Sequence, residues 1–205
     1  MNKLVSSVCL VAVTAFAQYR MEPAGAPPSE VAPAIREALQ KEGARIAGPQ
    51  GVVCEVWLRT SAPKAPNSEQ NVSFTDIPHG ALLGVIRFPV QGADRRGQPL
   101  KPGVYTMRLS FYPVDGAHQG IAPTRDFLLL APASGDSDLN ATPNFQQLVE
   151  MSRKASGTQH PAALNIWRPD ETGPAALKQE GEDWVFYSTI GDRPIALIVV
   201  GTFHG

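Results

Sequence analysis

The chain has 205 residues, 18 basic and 19 acidic side chains for a formal net charge of −1, and 43% hydrophobic residues. With no run of like charge and no basic stripe, that balance lacks the electrostatic footprint of a nucleic-acid or anionic-membrane binder. Its two cysteines, Cys9 and Cys54, are too few for a disulfide-stapled scaffold, so stability must come from an ordinary hydrophobic core.

The first predicted element is a leader. "MNKLVSSVCLVAVTAFAQ" opens with one positive charge, Lys3, continues as an apolar run over residues 4–16, and offers Ala15-Phe16-Ala17 as a small-x-small cleavage pattern. The run is shorter than the about 20 apolar residues that cross a bilayer. Residues 1–17 are therefore expected to be a secretory signal cut after Ala17, giving a secreted or periplasmic protein. Cys9 leaves with it. No later segment is long enough for a membrane span, and "IALIVV" suits one buried strand.

Residues 18–30, rich in Pro and Ala, are expected to form a flexible lead-in to a single domain over residues 31–205. "SEVAPAIREALQKEG" predicts a helix with Val31, Ile35, Ala38 and Leu39 on one face, Pro33 in its first turn and Gly43 as its stop. In "GVVCEVWLR" the period is two: Val52, Cys54, Val56 and Leu58 face inward, while Glu55, Trp57 and Arg59 face the other way. "TSAPKAPNSEQN" is a loop, "ALLGVIRFPV" a strand, and "QGADRRGQPLKPG" a loop. "VYTMRLSFYPV" alternates cleanly, and "DFLLLAP" suits a strand covered on both sides. "TPNFQQLVEMSRKAS" predicts a second helix, with Thr142 as N-cap, Pro143 at its first position and Gly157 beyond its end. "AALNIW", "AALKQ", "WVFYST" and "IALIVVGTF" are strands, the last three separated by the turns "EGED" and "GDRP". Roughly eight short strands with no strand–helix–strand alternation predict a mainly β fold, an antiparallel β-sandwich with two peripheral helices.

Four stretches, "CEVWLR", "GALLGVIRF", "DRRGQPLKPGVYTMRLSFYPVDGAHQGIAPTRDFLLLAPA" and "SRKASGTQHPA", together resemble a family of exported bacterial proteins. The resemblance covers nearly all of the chain after the leader. It implies a secreted, single-domain, β-rich protein and brings no catalytic role with it.

Chemistry can be carried by few residues. In "PVDGAHQGIAPTRDFLLL" the glycines around Asp115 and His118 suit a turn, with His118 in water. The other reading makes Asp115 and His118 ligands or proton-transfer groups. His160, held extended by Pro161 between a helix and a strand, is the natural partner. His118 and His160 with Asp126 or Asp115 would supply imidazole and carboxylate ligands for one divalent transition metal, although no His-x-His or HExxH spacing is present. Arg125 could bind a carboxylate or sugar hydroxyl through its planar fork. Strand geometry turns it away from Asp126, which favours a salt bridge or a capped strand end.

Among Trp57, Trp167 and Trp184, Trp57 is the favoured stacking platform because alternation aims it away from Cys54. Nucleophile signatures are missing: there is no G-x-S-x-G, Ser152-Arg153-Lys154 is not S-x-x-K, and Cys54 reads as core. His79 precedes a strand at a turn, and His204 lies next to the end. The sequence thus supports a non-catalytic exported module, without a cofactor, for an envelope or extracellular ligand. The alternative is a metal-binding protein or metal-dependent hydrolase using His118, His160 and Asp115 or Asp126.

Overall fold

Alternating side chains, bulges and one inward-turning loop shape the molecule. The computed structural model describes residues 19–94, 96–114 and 124–201. Residues 1–17, where a leader is expected, and Asp115, His118 and His204 lie outside these residues.

The chain forms β1 (Arg20–Gly25), α1 (Pro33–Ala38), β2 (Gly43–Gly48), β3 (Gly51–Leu58), β4 (Leu82–Phe88), β5 (Gly92–Ala93), β6 (Pro99–Leu100), β7 (Gly103–Phe111) and β8 (Asp126–Pro132). It continues through α2 (Phe145–Ser156), β9 (Ala163–Trp167), β10 (Ala176–Glu180), β11 (Asp183–Ile190) and β12 (Arg193–Val200). All eight expected strands are present, as β3, β4, β7 to β9 and β10 to β12. The sandwich is corrected. Ten strands form one antiparallel sheet in the order β1-β2-β3-β4-β7-β8-β9-β12-β11-β10, while β5 and β6 make a separate hairpin.

The sheet curls into a nearly closed barrel because its inner faces share a single core. Cys54, Val56 and Leu58 of β3 meet Ile86, Met107, Leu128, Leu164, Phe186 and Leu197 there. Register shifts between β1 and β2, β2 and β3, β4 and β7, and β11 and β12 bend the strands. The two outermost strands, β1 and β10, come to lie side by side without ladder pairing.

Three local expectations shift for physical reasons. The lead-in is not wholly irregular, since Arg20–Gly25 pairs with β2 as a strand. The first helix is only six residues long. After it, Gln40 N–H donates to Leu58 O at 2.8 Å and Leu39 bridges Arg59, so the edge of β3 captures the chain. Gly43 opens β2 rather than stopping a helix, and its missing side chain leaves room for the Trp57 ring. The second helix starts at Phe145 because Asn144 and Gln147 form a reciprocal capping box, and Gly157 ends it in the left-handed region at φ 67°.

The barrel's ends differ. At one end, the 60–81 segment turns inward and buries Phe74 and Ile77 in the core. At the other, where β4 ends and β7 begins, the β5–β6 hairpin and Tyr19 stand around the opening.

Candidate functional site

At the plugged end, the two charged residues that open β8 fasten the inward loop. Asp126 is fully buried, and its carboxylate accepts from Ser73 N–H at 2.7 Å and Phe74 N–H at 3.1 Å. Arg125 Nε donates to Tyr112 O at 2.6 Å, Nη1 to Gln70 O at 2.8 Å, and Nη2 to the Glu69 carboxylate at 3.0 Å. The pair is therefore divided into a salt bridge and a cap, as strand geometry suggests. Asn67 Nδ2 donates to Phe74 O and Ile77 O, and Arg193 Nε reaches Asp76 at 2.9 Å.

The other expected site residues scatter. His160 is exposed in the turn after α2, where its carbonyl accepts from Ser156 Oγ at 2.6 Å. Asp126, enclosed under the plug, and His160, facing solvent, do not share a site. Among the described residues, no group of three or more His, Cys, Asp or Glu could hold a metal ion.

Trp57 does point out of the barrel, yet α1 covers it. Only 1% of it is exposed, within a cluster with Val31, Ile35, Leu39 and Leu82, and its indole N–H donates to Gly25 O at 2.8 Å. That leaves no stacking face, which corrects its place as the favoured platform.

Cys54 and Ser110 are likewise enclosed. Burial, helped by neighbouring Glu55, pushes the Cys54 thiol up to about 12. One pairing escaped the sequence: His79 Nε2 lies 3.0 Å from Ser110 Oγ. The residues stand on separate segments, so no local spacing could reveal them. Ser110 is fully buried, and burial lowers the His79 pKa below its ordinary value.

The open end holds a cleft. A cleft of about 510 Å³ lies between Trp184, Tyr19, Phe88, Gln91, Gly92 and Val199. Pockets of this scale with aromatic walls and few polar groups suit small organic ligands. The Tyr19 and Trp184 rings are half-buried, with centroids 5.3 Å apart and planes tilted by 53°. Trp184 stands opposite Val200 near the start of β11, beside a register shift.

The hairpin wall is braced from behind. Asp94 caps its turn, accepting from the amides of Arg96 at 3.0 Å and Gln98 at 2.9 Å, while burial holds its carboxyl above the ordinary value. Gln98 Nε2 donates to His160 O and Pro161 O at 3.4 and 3.3 Å, and Thr158 Oγ1 donates to Gln98 Oε1 at 2.6 Å. His160 thus serves the wall through its backbone. A second recess, about 460 Å³, lies under the 169–174 loop outside the barrel. There Lys178 Nζ sits 4.9 Å from the Tyr187 ring centroid and the phenol donates to Glu180.

No known protein family, no curated protein and no solved structure matches the chain. No helix among the described residues is long and apolar enough to cross a membrane.

Proposed function

We propose that this protein is an exported, non-catalytic binding module that takes a ring-bearing small ligand, a pyranose or an aromatic ring, in the open end of its barrel. The observation that carries this reading is the Tyr19–Trp184 pair, half-exposed on a cleft that reaches core residues Phe88 and Val199. Tryptophan and tyrosine offer a broad apolar face at small entropic cost, and a ring stacked on Trp184 leaves the polar rim at Gln91 to orient it. Export is supported by the leader's charge, apolar run and cleavage pattern. The burial of Cys54 and Ser110 favours binding over nucleophilic chemistry.

The test is a fragment screen of pyranoses and aromatic acids read on tryptophan indole N–H signals by NMR. Hits are expected to move Trp184 and to leave enclosed Trp57 still, and Trp184→Ala should lose them. A screen in which no fragment moves Trp184, or in which Trp57 moves equally, removes the reading.

A further inference from the structure

The outer wall of the barrel carries several arginines, and the way each is balanced singles out Arg59. Buried Glu55 stands between Arg45, at 2.7 Å, and Arg87. Arg108 is fully buried and uses all its donors: Nε and Nη2 on Asp136 at 2.6 and 2.7 Å, Nη1 on Gly80 O and Ala141 O, and Nη2 again on Asp138 O. Its charge is answered and its fork is filled.

Arg59 has neither. It follows β3 on the same outward face, fixed by its own N–H to Leu83 O at 2.9 Å and by the bridge to Leu39. It is 9% exposed. Among the described residues its guanidinium makes one long hydrogen bond, Nη1 to Leu82 O at 3.4 Å, and Nε has no partner. No acid among them forms an ion pair with it, and the neighbouring charge is a second cation, Arg108. Burial and that cation both pull its pKa down. Arginine nevertheless stays protonated in proteins, so the charge cannot be shed. An uncompensated buried charge is among the costliest features a fold can carry.

We propose that Arg59 is the anchor of an oxyanion site, separate from the aromatic cleft, that takes a carboxylate or phosphate group on its guanidinium. The planar fork matches both groups in two-point geometry. An anion on the outer edge of the fork would answer the charge and offset the repulsion between Arg59 and Arg108.

The test is thermal melting of the full chain in sodium phosphate, sodium acetate and sodium chloride at matched ionic strength. A saturable rise of about 2–4 °C is expected with an oxyanion and not with chloride. A response to phosphate alone assigns a phosphate group, and a response to acetate as well assigns a site that also takes carboxylates. Arg59→Met should abolish the rise and melt higher than the parent in oxyanion-free buffer, because the unanswered charge is gone. Lys41→Met, at an exposed position, should leave the rise unchanged. If Arg59→Met does not fold, Arg59→Lys keeps the charge without the fork and should show a weakened rise. A parent that responds to oxyanions no more than to chloride overturns the site, and so does a rise undiminished in both Arg59 variants.

Discussion

At one end of the barrel, the 60–81 segment sends Phe74 and Ile77 into the core, and Asp126, Arg125, Asn67 and Arg193 fasten it. At the other, two half-buried rings and a short hairpin surround a cleft that reaches Phe88. The first end spends charged side chains on backbone amides and carbonyls, which rigidifies a loop that has little regular structure of its own. The second leaves aromatic surface uncovered and braces only one wall. Charged residues that look functional in a sequence can therefore be structural, while the accessible surface belongs to residues with less conspicuous chemistry. If this contrast is right, substitutions at the plug should change stability and spare the cleft, and substitutions at the cleft should do the reverse.

The largest effect is expected at Phe74. It is fully buried, and Phe74→Ala should cost about 3–5 kcal/mol, read as a lower urea midpoint with an unchanged slope. Asp126→Ala comes next, at about 3 kcal/mol, because it strips a charged acceptor from two amides held at 2.7 and 3.1 Å. Fragment binding at Trp184, measured where each variant is still folded, should be unaltered in both. Plug variants that lose binding at full folding would collapse the distinction between the ends.

Trp184→Ala tests the other side. Its ring is half-buried, so the loss of stability should be smaller than for Phe74→Ala, while fragment affinity falls by about tenfold or more. Gln98→Ala sharpens the role of the hairpin. It removes the brace to the carbonyls of His160 and Pro161, for a stability loss of about 1 kcal/mol and a faster fragment off-rate. An off-rate identical to the parent's would show that the wall stands without that brace.

Much of the fold was legible because alternation is a local signal. The inward run Cys54, Val56 and Leu58 and the doubly covered "DFLLLAP" strand are read from neighbours in sequence. Closure was not legible. A sandwich and a curled sheet use the same alternating strands, and what separates them is the summed effect of register shifts that no single segment announces. β1 was obscured by Pro23, which an edge strand tolerates. At the site, the pattern placed Trp57 correctly on the outer face but carries no information on what covers that face. Trp184 is the more exposed of the two, and its neighbour Tyr19 comes from the far end of the chain, so no local pattern joins them.

The smallest effect is a pH dependence at the plugged end. His79 sits between Ser110 Oγ, at 3.0 Å, and the ring of Phe111, whose centroid is 6.0 Å away. Burial lowers its pKa below the ordinary 6.5, outweighing the opposing pull of the Pro143 backbone and Glu69. In the unfolded chain the imidazole regains its ordinary value, so between the depressed folded pKa and 6.5 the unfolded state binds the proton more readily. His79 therefore contributes its full stability above that window. The contribution declines as pH falls through it and is constant again once both states are protonated. His79→Gln keeps a polar partner for Ser110 without a titrating ring. Urea midpoints measured for parent and variant from pH 8 to pH 5 should diverge only at the acid side, with the parent losing stability relative to the variant. A difference that stays constant across the range would mean that His79 is held by its contacts alone and that its burial does not suppress the imidazolium.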